Sequence, residues 1–216
     1  MKIQSVAIVG GGTAGWLAAN HLAKALFNQN ITITLIESPD IPTIGVGEGT
    51  VPTIRKTLQS FGISETEFIT RCDVTFKQSI KFQNWLDSHR HGRDNFYHHL
   101  FDPPSPMGDD LSSLWLQNPS DAYSQLVSSQ FDVCEANLAP KLITTPEYQA
   151  VQGYAYHLNA AKFALLLAEN AKQKFAVNHV KANVIDTRLH LDGSIASLVL
   201  DKCGEQEFDF YIDCSG

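Results

Sequence analysis

The chain has 216 residues, 44% of them hydrophobic and 18% charged, with a formal net charge of -7. That length provides a sizeable core without help from disulfides or metals. A charged fraction below the usual ~25%, with a negative balance, offers no basic face to a phosphate backbone and argues against nucleic acid as a partner.

The opening MKIQSVAIVGGG lacks a secretory cleavage pattern. Ile3 to Val9 is mostly apolar and rich in β-branched residues, and a glycine cluster follows at Gly10-Gly11-Gly12-Thr13-Ala14-Gly15. Apolar residues then recur with helical period at Ala14, Leu17, Ala18, Leu22, Ala25 and Leu26. The expected order is strand, glycine turn, helix. Ile31 to Glu37 reads as a second strand, which completes a βαβ unit and places the chain in the α/β class with a parallel sheet. Ser38 to Pro52 is rich in glycine and proline and is expected to be loop, followed by a helix from Pro52 to Phe61. Ser64-Glu65-Thr66-Glu67 has capping-box spacing and predicts a short helix from Ser64 to Cys72.

Val74 to Trp85 alternates like one strand, and Asp87 to Pro119, rich in His, Asp, Pro and Ser, is expected to have little regular structure. Asn159 is the expected N-cap of a helix over Ala160 to Lys174. Its apolar run near Phe163 to Ala168 is far short of the ~20 residues that span a bilayer. Ala182 to His190 and Ser194 to Leu200 flank Asp192-Gly193 as a hairpin, and Phe208 to Asp213 is a final strand aimed at Cys214-Ser215-Gly216. Cys72, Cys134, Cys203 and Cys214 stand singly, which suits a reducing cytoplasm.

Two glycine constellations carry the chemistry. In Gly10-x-Gly12-x-x-Gly15 the glycines permit a tight turn and bring backbone N–H groups and a helix N-terminus up to a pyrophosphate. Glu37, closing the second strand, can accept hydrogen bonds from ribose hydroxyls and disfavours a 2′-phosphate, because two anions would then face each other. The motif alone does not choose between FAD and a nicotinamide cofactor. In Gly45-Val46-Gly47-Glu48-Gly49-Thr50-Val51-Pro52 an N–H-lined loop can lie flat against an isoalloxazine edge or a phosphate; standing alone it reads more readily as a flexible surface loop. His89, His91, His98 and His99 with Asp87, Asp94 and Asp102 fit no tight metal template, so no metal is expected. His157, just before the helix cap, is expected to be packed or hydrogen-bonded.

The first glycine motif with Trp16, the run Glu37-Ser38-Pro39-Asp40-Ile41-Pro42-Thr43-Ile44 leading into the second, and the strand Phe76-Lys77-Gln78-Ser79-Ile80-Lys81-Phe82-Gln83-Asn84-Trp85 stand in a fixed order. With Tyr156-His157-Leu158-Asn159-Ala160-Ala161-Lys162-Phe163 and the closing Asp213-Cys214-Ser215-Gly216, they resemble the flavin-dependent tryptophan halogenase family nearly end to end. The GVGEGT loop and the lysine strand are the more specific of these matches.

The resemblance implies a Rossmann-like FAD-binding fold of the oxygenase (p-hydroxybenzoate hydroxylase-like) type with an added β-sheet excursion, placed at residues 74–156. It implies that reduced FAD from a separate flavin reductase, oxygen and a halide ion generate a hypohalous acid that is delivered to an active-site lysine for substitution on a small aromatic substrate, usually an indole. In the family pattern that lysine maps onto Lys77. The cofactor contacts map onto Gly10, Gly11, Gly12, Thr13, Ala14, Gly15, Glu37, Ser38, Ile41, Gly47, Glu48 and Gly49, with Val184 near the adenine and Asp213 beside the FAD.

Physical reading alone does not choose within the lysine strand, where Lys77 and Lys81 would share one face roughly 13 Å apart. For a lysine on an alternating strand a solvated surface is the ordinary reading. Burial would shift it toward the neutral amine. Family members continue well beyond the DCSG segment. The resemblance therefore makes residues 1–216 the FAD-binding portion of a longer enzyme, expected to bind FAD weakly by itself. Two other readings stay open, an FAD-dependent aromatic monooxygenase and a non-catalytic cofactor-binding remnant, with a nicotinamide-only dehydrogenase behind them. A homodimer is compatible with the sequence but not read from it.

Overall fold

The computed structural model describes residues 2–41, 47–104, 108–119 and 122–216. Its first half runs β1 (Ser5–Val9), α1 (Thr13–Ala25), β2 (Thr32–Glu37), β3 (Gly47–Gly49), α2 (Thr53–Phe61), α3 (Glu65–Arg71), β4 (Thr75–Lys77), β5 (Ser79–Gln83), α4 (Ser88–His91) and β6 (Phe96–Leu100). Then come α5 (Leu111–Gln117), α6 (Tyr123–Val127), α7 (Gln130–Glu135), β7 (Ala155–Asn159), α8 (Ala160–Phe175), β8 (Asn178–Lys181), β9 (Val184–Leu189), β10 (Ile195–Leu200), β11 (Gly204–Gln206) and β12 (Phe210–Asp213). Among the described residues no helix is long and apolar enough to cross a membrane.

The expected βαβ unit forms the centre. Strands β12-β1-β2-β8 make a parallel sheet in that order, with Ile8 beside Leu35 and Val9 beside Asp213 in register. Both faces of the sheet are covered, which explains why β1 and β2 are apolar almost without interruption. Val6, Ile8, Ile33 and Leu35 pack against α1 and α8, where Trp16, Ala19, Phe163 and Leu167 are buried. Ala7 and Ile36 face the antiparallel sheet β11-β10-β9 through Leu198 and Leu200. Asn20, fully buried on α1, donates to the carbonyls of Trp16 and Leu167 and accepts from Asn170 Nδ2 at 2.8 Å. A buried amide with its bonds satisfied in this way fixes the register between α1 and α8.

The cap signals read from the sequence are present. Ser64 Oγ accepts from Glu67 N at the start of α3, and Asn159 Oδ1 accepts from Lys162 N at the start of α8. Helix α2 begins at Thr53 with Pro52 in the cap position and stops at Gly62, which takes the left-handed conformation at φ 70°.

Three sequence expectations are corrected. Val74 to Trp85 is not one strand: β4 pairs with β7, whereas β5 pairs with β6 in a separate two-stranded sheet. The break falls at Gln78, whose carbonyl accepts from Phe101 N and whose Nε2 donates to the Leu138 carbonyl, so the chain steps from one sheet to the other. Asp87 to Pro119 holds α4, β6 and α5, because Phe96 to Leu100 finds an antiparallel partner in β5 that a composition rich in His, Asp, Pro and Ser did not advertise. Within the expected loop Ser38 to Pro52, Gly47–Gly49 is a strand, held by the edge of β7 through the pairs Gly47–Asn159 and Gly49–His157. The Gly45-Val46 part of that loop lies outside the described residues.

Candidate functional site

A cleft of about 450 Å³ opens at the carboxyl ends of β1 and β2, the place where parallel sheets of this kind receive ligands. The glycines around it do different jobs. Gly10 has φ +119°, and a side-chain carbon there would stand 2.2 Å from the Cys214 carbonyl oxygen, so only glycine lets β1 turn beside the end of β12. A carbon on Gly15 would meet the Gly10 carbonyl at 1.9 Å, which is what seats α1 against the loop. A carbon on Gly12 would meet nothing within 4 Å. Gly12 lines the cleft and is also the N-cap of α1, with no side-chain cap bond. The open approach, the uncapped N-terminus and its partial positive charge fit an anionic pyrophosphate.

The cleft gathers most of the expected cofactor residues: Gly10, Gly11, Gly12, Thr13, Ala14, Glu37, Ser38, Ile41, Glu48 and Val184. Thr13 Oγ1 donates to Glu48 Oε1 at 3.3 Å, tying the glycine turn to β3. Ser38 Oγ receives the amides of Asp40 and Ile41 and donates to Asn183 Oδ1. Glu37 Oε2 accepts from His179 Nε2 at 2.6 Å. Burial pushes the His179 pKa below its ordinary value, the Glu37 carboxylate opposing it, so the contact is a hydrogen bond from a neutral ring. Gly15, Gly47, Gly49 and Asp213 do not line the cleft. Asp213 Oδ1 accepts from the amide and hydroxyl of Ser215, which pull its pKa below the usual value and shape the turn through which Cys214 and Ser215 reach the cleft wall.

The lysine of interest sits on the far side of β3. Lys77 Nζ donates to the Thr50 carbonyl at 3.0 Å and lies 5.4 Å from the centre of the Phe101 ring. A carbon on Gly49 would stand 3.1 Å from Lys77 Nζ and 3.2 Å from His157 Nδ1, so both nitrogens close over that glycine. His157 has its pKa lowered by burial and then by the neighbouring Lys77 charge. Among the described residues no carboxylate pairs with Lys77. Lys81 is different: Glu135 Oε1 holds it at 2.8 Å, and the Phe96 ring lies 3.9 Å beneath it. Glu135 also accepts from His98 Nε2, and His98 Nδ1 meets Ser79 Oγ. The two lysines that the sequence left equivalent are thus distinguished by geometry. Lys81 is spent in an ion pair, whereas Lys77 is held by a carbonyl beside the glycine strand.

Strand β3 therefore separates two environments: Glu48 lines the cleft, whereas Lys77 closes over the next residue, Gly49, and donates to the Thr50 carbonyl just beyond the strand. Sequence reading missed His179, Ala182 and Asn183 in or behind the cleft. The short alternating run Val177-Asn178-His179-Val180-Lys181 was the available signal, and it forms β8 beside β2. The histidines weighed for a metal do not converge: among the described residues no three His, Cys, Asp or Glu side chains form such a group.

Comparison with known proteins agrees with this arrangement. Residues 5–216 match the family profile described as tryptophan halogenase. Tryptophan 7-halogenase RebH from Lentzea aerocolonigenes is 34% identical over 100% of the chain and 43% of its own length. The crystal structure of a tryptophan halogenase from Shewanella frigidimarina superposes with a TM-score of 0.89 at 40% identity, covering 99% of the chain and 43% of that structure. Tar14, a tryptophan C-6 flavin-dependent halogenase from taromycin biosynthesis, superposes at a TM-score of 0.85 with 32% identity, covering 99% of the chain and 43% of that structure. The chain thus spans less than half the length of the relatives it matches.

Proposed function

The chain belongs to the tryptophan halogenase family, and on that premise we propose that it supplies the flavin-nucleotide cleft and the active-site lysine of a flavin-dependent halogenase acting on an indole or similar arene. The parallel sheet, its glycine turn and the antiparallel cover sheet support the Rossmann-like, oxygenase-type FAD fold. Residues 74–156 form the excursion that carries the lysine.

The residues fit FAD. Gly12 and the N-terminus of α1 receive the pyrophosphate, Glu37 accepts from the adenosine ribose, and Val184 and Ala182 flank the adenine. Ser38 and Ile41 close the wall between them, and Glu48 holds Thr13 at the cleft mouth. When bound in reduced form, FAD supplies with oxygen and halide the oxidised halogen. This chain's part is then to exclude water from the cleft and to hold that electrophile by hydrogen bonding at Lys77 Nζ, beyond β3. A flavin reductase is the partner that such a cycle requires. The four unpaired cysteines favour a reducing cytoplasm.

The observation that carries this reading is the position of β3, whose Glu48 lines the cleft while Lys77 closes over Gly49 and donates to the Thr50 carbonyl beside it. The test supplies the full-length enzyme that carries this chain with a flavin reductase, FAD, oxygen, tryptophan or indole, and chloride or bromide. We expect product whose mass contains the halogen offered. A hydroxylated product formed without halide would favour the aromatic monooxygenase reading, and a protein that never takes up FAD would favour a non-catalytic remnant.

A further inference from the structure

Glu37 ends β2 with a carboxylate that has three rotatable bonds, yet it occupies one defined place. A carbon on Gly11 would stand 2.3 Å from Glu37 Cδ and 2.7 Å from Oε1, so the side chain lies across the glycine turn in the space the missing side chain leaves. Oε2 is taken by His179 Nε2 at 2.6 Å, while among the described residues Oε1 receives no hydrogen bond. His179 in turn is fixed. It stands on β8 opposite Leu35, its side chain is 13% exposed, and its ring meets Trp16 edge-on at 5.0 Å and 79°. Trp16 is itself 1% exposed on the first turn of α1.

We propose that His179 is a positioning residue of the nucleotide cleft: its Nε2–H locks one oxygen of Glu37 so that the other is presented to the hydroxyls of the adenosine ribose. The proposal rests on the reading of the cleft as an FAD site. A carboxylate oriented before the ligand arrives loses less freedom on binding, and the Trp16–His179–Glu37 chain makes that orientation a property of the packed fold. The neutral ring suits the role, because one nitrogen donates and the histidine adds no charge that would draw the carboxylate away from a hydroxyl donor. Burial first, and then the charges of Lys172 and Lys181, favour that neutral form against the pull of Glu37.

The test measures dissociation constants by flavin fluorescence for FAD and for an FAD analogue lacking both adenosine ribose hydroxyls. His179→Phe keeps an aromatic ring against Trp16 without the donor, and His179→Gln returns an N–H. We expect His179→Phe to weaken FAD about tenfold, as for loss of a hydrogen bond to a charged group, to leave the analogue unchanged, and to be largely rescued in His179→Gln. In a Glu37→Gln background, His179→Phe should add nothing further. Unchanged FAD affinity in His179→Phe, alongside weakened affinity in Glu37→Gln, overturns the proposal and leaves the cleft reading standing. Equal weakening of FAD and analogue overturns it as well, since it marks a purely structural role. Unchanged FAD affinity in Glu37→Gln removes the ribose assignment itself, and the proposal with it.

Discussion

Glu65 illustrates what keeps a charge in this interior. Its side chain is 2% exposed, and it receives Lys141 Nζ at 2.7 Å, the hydroxyls of Tyr154 at 2.5 Å and Tyr156 at 2.7 Å, and the Tyr148 amide at 2.7 Å. Burial alone would raise its pKa, but the four donors together outweigh burial and hold it below the ordinary carboxylate value of 4.5. A carboxyl depressed in the folded state contributes stability above its unfolded pKa and loses it as pH falls through the folded value. Glu65→Gln should therefore cost about 3–5 kcal/mol in urea unfolding at pH 7, as for breaking a buried pair. That gap should close as the medium becomes more acid than the folded pKa; a gap of constant size from neutral to strongly acid pH would show that the charge is not what the four donors recognise. The glycines give a second test. Gly12→Ala adds a methyl to open space and should leave the melting temperature unchanged while weakening FAD, whereas Gly10→Ala, at φ +119° against the Cys214 carbonyl, should lower both. Full FAD affinity in Gly12→Ala would mean that the pyrophosphate does not pass there. These glycine positions were legible in the sequence because spacing alone defines them. Glu65 was legible only as part of a cap, since the donors that make it special come from residues 76 to 91 positions away.

At the scale of elements, caps and the pairings of strands near in sequence, β1 with β2 and β9 with β10, are legible in the sequence, whereas pairings between distant segments are not. Asn159 announces α8 because an N-cap needs only its own side chain and the amide three residues on. Asn159→Ala should cost about 1 kcal/mol and lower the melting point by about 2–4 °C, measured by thermal unfolding; no change would show that packing of α8 on α1 sets its start without the cap. Strand β3 is the opposite case. Three residues with two glycines have no intrinsic strand preference, and they become a strand because β7, more than a hundred residues later, presents its edge. The step at Gln78 was invisible for the same reason. Alternation continues through it, and only the competing partners β7 and β6 divide β4 from β5. The helices α6 and α7 carry no cap signal, since neither has a side-chain cap bond. Helix α7 is held instead by Gln130, whose Oε1 accepts from the amides of Phe101 and Asp102 and whose Nε2 donates to the Gly153 carbonyl.

For the molecule as a whole, those long-range pairings decide where the chemistry can be. The parallel sheet fixes the cleft at the ends of β1 and β2, and β7 draws β3 and β4 together so that Glu48 and Lys77 stand on opposite sides of one short strand. The sequence supported the cleft from the residues themselves, through the glycine spacing and Glu37. It supported Lys77 over Lys81 only by family resemblance, because what separates them is a carboxylate on α7 for one and a backbone carbonyl beside β3 for the other. On the proposed function, cofactor binding and halogen delivery belong to two sites joined by that strand. Lys77→Ala in the full-length enzyme tests this, assayed in parallel for FAD affinity and for halogenated product with reductase, oxygen and halide supplied. We predict unchanged FAD affinity and no halogenated product, and normal halogenation by that variant would contradict the account.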